Sequence, residues 1–377
     1  MKNQKPDSFL FIVLLFSVVI TLSCSTESSQ IVFKSGTEGY DTFRIPALAI
    51  SSNGTILAFA EGRKNSRSDA GDIDLVLRRS EDQGATWSEL QVIRDDSTHT
   101  CGNPAPVVDR TTGRIYLLST WNLGEDRESE IIDQTSQDTR RVFVQYSENH
   151  GLTWSEPQEI TDAVKKAEWT WYATGPGAGI QIEQGEYKGR MVIPCDHIEA
   201  VTKHYYSHII YSDDQGQSWQ LGGRTPEHQV NECQVVELTD DRLLLNMRNY
   251  DRNNRFRQVA TSPDGGLTWT NQRFDTTLVE PICQASIRRY SWPGEDTKNV
   301  ILFSNPAHPE KRINMTVRAG FDDGKTWPLK QTLHEGPSAY SDLAVLSDGT
   351  ALCLYERGTE HPYEMIVLDK FVLENLR

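Results

Sequence analysis

Apolar residues in this chain come in short runs, not in long amphipathic stretches. Ala47 to Ile50, Ile73 to Leu77, Arg141 to Tyr146, and Met365 to Leu368 continuing through Phe371 to Leu373 each read as β-strand. From Asp72 to Leu77 the alternation has period two, with Asp72 and Asp74 on one face and Ile73, Leu75 and Leu77 on the other. Helical spacing is scarce, and only Thr161 to Glu168 reads as a short helix. The pattern predicts an all-β protein.

One polar motif returns between the strands: Ser-x-Asp-x-Gly-x-Thr-Trp. It runs from Ser80 to Trp87, Ser147 to Trp154 (with Asn149 for Asp), Ser212 to Trp219 and Ser262 to Trp269, and it ends as Asp322 to Trp327 with Gly320 in place of the leading Ser. The chemistry is that of a turn. Asp or Asn caps backbone N–H groups, Gly supplies positive φ, and Thr and Trp open the next strand, with Trp adding a large packing surface. Each box follows a strand-like run, so each reads as a β-hairpin. The boxes need no metal or sugar to explain them. Their Trp residues lie 50 to 67 residues apart, room for a four-stranded sheet and its loops. Repeated sheets of that size close radially, and the span from Ile31 to Arg377 makes a six-bladed β-propeller with one blade lacking a box. The C-terminal run would close the ring against the N-terminal strand. No linker divides residues 31–377, which read as a single domain.

Ahead of it, Lys2 and Lys5 precede an apolar run from Phe9 to Leu22 that ends at Ser23-Cys24. Residues 1–24 read as a secretory signal and 25–30 as a polar tether. Lipidation at Cys24, with a tether to a membrane, and simple cleavage with release both stay open, because Thr21 stands where a lipoprotein signal usually has an aliphatic residue; an uncleaved anchor is a third outcome. Each puts the protein outside the cytoplasm. The other cysteines, Cys101, Cys195, Cys233, Cys283 and Cys353, have no zinc-type spacing and read as buried thiols. A formal net charge of -15 argues against nucleic acid as a partner, but leaves room for a local cationic pocket.

One arginine stands apart. Arg44 lies between Phe43 and Ile45, and Pro46 stiffens the backbone and biases Ile45 toward extended geometry. A lone arginine there is most simply a paired structural residue; gripping an anion would need partners from elsewhere.

Phe43-Arg44-Ile45-Pro46 ahead of the five turn repeats resembles the exo-sialidases (neuraminidases) of bacteria and animals over essentially all of the chain after the signal. The resemblance implies a retaining glycosidase that removes terminal sialic acid from glycoproteins, gangliosides and oligosaccharides without cofactor or metal. Sialic acid carries a carboxylate on its anomeric carbon, and planar guanidinium groups match such an anion best. The resemblance assigns that clamp to Arg44, to Arg248 in Asn246-Met247-Arg248-Asn249, and to Arg312 in Lys311-Arg312-Ile313-Asn314. Lys311, Arg257 and Arg318 read as ordinary surface cations. The nucleophile would be Tyr340 and its base Glu232, while Glu237 suits a solvated strand edge. A carboxylate nucleophile about 4 Å from the substrate's carboxylate would be repelled by roughly 4 kcal/mol at an effective dielectric near 20, which a neutral tyrosine avoids. The acid would be Asp69, on a Gly/Ser/Asp-rich loop, preferred over Asp72 and Asp74 by loop position. Arg63 would line the acid's side of the pocket, and Glu280 would orient a clamp arginine. Asn103-Pro104, Trp121 and Trp169-Thr170-Trp171-Tyr172 are candidate walls. Transfer to another sugar, an anhydro product, or a deaminated relative of sialic acid as substrate stay open, since loops and rim aromatics decide these. A non-catalytic glycan binder would lack the Tyr, Glu or Asp, and all are present.

Arg44→Lys keeps the charge but removes the fork, so affinity for free sialic acid, measured by calorimetry, should fall while the melting temperature holds.

Overall fold

A computed structural model describes residues 1–3 and 29–377. The apolar run Phe9 to Leu22, Cys24 and most of the polar tether lie outside the described residues.

The described chain is nearly all strand, arranged in sheets of eight, five, four and seven strands. Successive strands pair antiparallel with their neighbours in sequence. Thr42–Ile50, Ile56–Arg63, Ile73–Ser80 and Gln91–Arg94 form one such run, joined to the next only by the bridge of Ile73 to Thr100. The long strand Leu329–Val345 serves two neighbours. Its first half pairs with Ile313–Gly320 and its second half with Ala351–Arg357. Gln30–Lys34 pairs with Met365–Phe371, so the N-terminal segment adds to the C-terminal strands as the pattern predicts. That last strand stops at Phe371, and Leu373 opens a 3-10 turn instead.

The helix predicted over Thr161 to Glu168 ends at Val164. Lys165 is extended there and turns its ammonium onto the Arg140 carbonyl at 2.7 Å, which draws the chain off the helical path. A second helix, Glu128–Asp133, has no counterpart in the sequence reading.

The repeats are hairpin turns, and the first shows their wiring. Asp82 accepts the Thr86 N–H at 2.8 Å, the Thr86 hydroxyl at 2.6 Å and the Ser80 hydroxyl at 2.8 Å, while Gly84 N–H donates to Ser80 Oγ. Two consecutive residues in each turn have positive φ, Gln83 and Gly84 in the first. Asp82 is drawn down to about 2 by those hydrogen bonds, the Thr86 hydroxyl first. The Trp residues precede their strands instead of opening them: the strands begin at Gln91, Gln158, Gln220, Thr270 and Leu329. They still pack: Trp219 and Trp269 are buried, and Trp87, Trp154 and Trp327 lie against clusters between neighbouring strand runs. All five cysteines of the described residues are free and buried.

Five strands that begin such runs share one irregularity: each carries one extra residue relative to its partner. Between Arg44 and Ala47, Gly102 and Ala105, Trp169 and Tyr172, Val230 and Cys233, and Ser338 and Ser341, the chain advances three residues while the partner advances two. These are β-bulges, which bend a strand and re-aim its side chains. In the first, Ile45 has φ 58, not the extended geometry expected beside Pro46. A β-branched residue there is strained. The Ile45 N–H is turned onto Glu356 Oε1 at 2.9 Å, which holds it there.

Gly216 has φ 79, and a Cβ on it would lie 2.2 Å from the buried Tyr116 ring. Gly216→Ala should therefore lower unfolding free energy in urea by about 2–4 kcal/mol, from strain plus overpacking. Gly54→Ala, at φ 88 with nothing within 4 Å, should cost only about 1 kcal/mol.

Candidate active site

Three of these bulged ends meet at the Tyr340 ring. Tyr340 and Glu232 sit inside two of the bulges and Arg44 at the edge of a third. The Tyr340 hydroxyl donates to Glu232 Oε1 at 2.5 Å. Arg248 Nη1 donates to Glu232 Oε2 at 2.5 Å and to Tyr340 Oη at 3.0 Å. The guanidinium carbons of Arg44 and Arg312 lie 5.0 and 5.6 Å from the centre of the same ring. The three arginines expected as a clamp, drawn from distant parts of the chain, thus meet at one tyrosine.

Two of the arginines are held from behind. Arg44 Nε donates to Glu356 Oε1 at 3.0 Å, and the Tyr340 backbone N–H donates to Glu356 Oε2 at 3.0 Å. Arg44 also stacks 4.2 Å from the Tyr363 ring, and Arg312 Nη1 donates to the Tyr363 hydroxyl at 2.8 Å. Glu356 and Tyr363 were absent from the sequence reading. Glu356 had a signal: a lone acid beside the apolar run Ala351 to Tyr355, where a buried carboxylate demands a partner. Tyr363, in a loop with ordinary composition, had none.

Glu280 does not orient a clamp arginine. It pairs with Arg257 Nη1 at 2.6 Å and accepts the Asn249 N–H, fixing the chain just after Arg248. Arg257, expected at the surface, is fully buried by that pair, by Asn246 and by the Cys283 carbonyl. Glu237 is also buried, accepting the N–H groups of Glu183 and Gln184.

Asp69 reaches the cluster from the loop 64–72. Its carboxylate lies 2.7 Å from Arg63 Nη1 and 3.5 Å from Arg44 Nη1, with 63% of the side chain exposed. Arg63 is gripped in turn by Glu61 at 2.6 Å, and Glu61 accepts the Asn103 N–H on the neighbouring bulge. Asp72 and Asp74 point elsewhere: both pair with Lys64, and Asp74 accepts the Tyr40 hydroxyl.

Of the candidate walls, Asn103 and Trp171 occupy bulges like those of Glu232 and Tyr340, and the buried Arg140 links them, bonding Asn103 Oδ1 and lying 3.9 Å over the Trp171 ring. Trp169 and Tyr172 are core residues instead, Trp169 stacked on His197. Trp121 binds Asp96 through its indole N–H.

Charge follows this geometry. Burial raises the Tyr340 phenol well above its ordinary value and the Glu232 carboxylate adds to that, outweighing Arg248, Arg312 and Arg44, so the resting group is a neutral phenol. Burial raises Asp69, but Arg63 and then Arg44 outweigh it and hold the carboxyl below its usual range. Asp196, buried beside Glu232 with neither oxygen bonded to the described residues, is pushed well up by burial and by the charges of Glu232 and Glu128. A cationic centre thus sits inside an acidic protein. A cavity of about 420 Å³ lies at the opposite ends of the same strands, lined by Leu48, Val236, Arg288 and Val345, away from this cluster.

Residues 54–353 match the BNR repeat-like domain. The chain is 34% identical over 334 residues to a sialidase of Micromonospora viridifaciens, covering 86% of this chain and 51% of that one. It is 30% identical to sialidase-3 of Rattus norvegicus, covering 91% of this chain and 94% of that one. Among solved structures, the Hadza microbial sialidase Hz136 superposes with a TM-score of 0.83 at 30% identity, covering 93% of this chain and 69% of that one. The chain spans about half the length of the Micromonospora relative.

Proposed function

We propose, from the premise that this chain belongs to the sialidase family with BNR (Asp-box) repeats, that it is a retaining exo-α-sialidase acting on terminal sialic acid of glycoproteins, gangliosides and oligosaccharides. The observation that carries the reading is the Tyr340 hydroxyl on Glu232 at 2.5 Å within a ring of three arginines. That set suits a substrate whose reacting carbon bears a carboxylate.

In the first step Glu232 takes the Tyr340 proton and the phenolate oxygen bonds to the anomeric carbon. The glycosidic bond breaks as Asp69 gives its proton to the departing oxygen. In the second, the Asp69 carboxylate takes a proton from water, the hydroxide oxygen bonds to the anomeric carbon, and Tyr340 leaves and recovers its proton from Glu232. Two inversions leave the configuration retained. Arg44, Arg248 and Arg312 hold the substrate carboxylate throughout, and Arg63 keeps Asp69 beside them.

The scaffold for this chemistry is a six-bladed propeller. Supporting it, the strand Leu329–Val345 is shared between two neighbours, and the eight-stranded sheet is joined across by one bridge. Divided at those points, the sheets resolve into six sets of about four strands. We further propose that residues 1–24 export the chain from the cytoplasm, with Cys24 as the point of any lipid tether.

Wild-type protein should release free sialic acid from a fluorogenic sialoside, with the α anomer formed first by NMR; a transfer or anhydro product instead would overturn hydrolysis. Tyr340→Phe should lower turnover by about three powers of ten or more, and undiminished turnover would remove Tyr340 as nucleophile.

The pH profile carries a second outcome. Asp69 must be protonated to act, and its free-enzyme value is held down by Arg63 and Arg44. The rate therefore falls as pH rises through that value. A bound carboxylate takes up the charge of Arg44 and adds its own, raising Asp69. The alkaline limb of kcat should lie at higher pH than that of kcat/KM, which reports the free enzyme. Coincident limbs would show that Arg44 and Asp69 are uncoupled.

A further inference from the structure

The loop 64–72 has little of its own to hold it. Asn65 to Asp69 are exposed, and the contacts beyond the loop are few: Arg63 on the Arg67 carbonyl and the Asp69 carboxylate, Arg44 on that carboxylate at 3.5 Å, and Thr100 Oγ1 exchanging hydrogen bonds with Gly71. Its position is therefore decided where it leaves and rejoins the sheet. At that stem the Lys64 N–H donates to the Asp72 carbonyl at 3.0 Å, and the Lys64 ammonium lies 2.9 Å from the Asp72 carboxylate. The same ammonium lies 3.1 Å from Asp74, in the strand that comes next, and 3.6 Å from Asp95, beyond the hairpin. Asp74 is anchored in turn by the Tyr40 hydroxyl at 2.7 Å. One cation thus joins both ends of the loop to the strand it enters and to a third segment. Without it, three carboxylates would face one another around the stem and drive it apart.

Resting on the proposed role of Asp69 as proton donor, we propose that Lys64 is a positioning residue, whose ammonium closes the stem of the loop 64–72 and so sets the reach of Asp69 to the leaving-group oxygen. Lys64 touches neither substrate nor the tyrosine cluster. Its action is geometric, and a displacement of about 1 Å at a reacting group can cost about a hundredfold in rate. The arginine clamp and the Tyr340–Glu232 pair are carried by other strands, and Arg44, which meets the loop at Asp69, stays held by Glu356.

The test compares leaving groups. An aryl oxygen departs with little help from a proton, whereas the alkyl oxygen of a sugar needs one. In the bond-breaking first step, which kcat/KM reports, a misplaced acid therefore harms the second substrate far more than the first; the second step, where Asp69 acts as base on water, is common to both. Lys64 is 29% exposed, so Lys64→Met should fold, with integrity checked by melting temperature. On 4-methylumbelliferyl sialoside its kcat/KM should stay within about threefold of wild type, and on sialyllactose kcat/KM should fall by about tenfold or more, a fraction of the ~10²–10⁴ that a positioned acid supplies. Equal losses on both substrates, or no loss on either, would overturn the positioning role. If Lys64→Met does not fold, Asp72→Asn decides by the same ratio. Wild-type protein inert toward both sialosides would defeat the enzymatic reading itself, a result distinct from a wild type active on both and a variant with unchanged selectivity.

Discussion

The site depends on a single buried carboxylate. Glu356 accepts Arg44 Nε and the Ile45 N–H with one oxygen, and Arg44 Nη2 and the Tyr340 N–H with the other. It therefore ties together two strands that begin different strand runs, and sets the distance between Arg44 and the Tyr340 ring. A fully buried carboxylate is tolerable only with such partners; losing one member of a buried pair typically costs about 3–5 kcal/mol. The strained φ of Ile45 is stabilised by the same group, so one interaction maintains the bulge, the aim of Arg44 and the seat of Tyr340.

Those bulges solve a geometric problem. Side chains on a regular strand alternate between faces and stand perpendicular to the sheet. A pocket at the end of a set of strands needs side chains that turn toward the end. One added residue per strand bends it and frees a side chain from the ladder. Glu232, Tyr340, Asn103 and Trp171 occupy that place in their strands. The hairpin turns that carry the repeats hold the strand runs together elsewhere, through capping Asp residues and packed Trp side chains, and contribute no group to the tyrosine cluster.

Electrostatics then sort the roles. Tyr340 is kept neutral by burial and by its carboxylate neighbour, although three guanidinium groups surround it. Asp69, more exposed and on a loop, is kept ionised by two arginines. A neutral group and an ionised one, both beside Arg44, are what a carboxylate-bearing substrate would shift on arrival. The Lys64 stem and the Glu61–Arg63 pair hold the loop side of this arrangement, and Glu356 holds the strand side.

Local residue types determined the strands, the repeated turns and the order in which the chain presents Arg44, Asp69, Glu232, Arg248, Arg312 and Tyr340. Period-two alternation and the Asp–Gly turn depend on neighbours within a few residues, so they are legible without a fold. What only the tertiary structure decided depends on partners far apart in sequence. Arg257 and Glu237 looked like surface residues because a charged side chain carries no mark of being buried; Glu280 and a pair of backbone N–H groups make burial tolerable. Ile45 was expected to be extended from Pro46 alone, but its conformation answers to Glu356, 311 positions away. Glu280 was expected behind a clamp arginine and Glu356 not at all, because which acid backs which arginine is set by strand register and bulge placement, not by spacing along the chain.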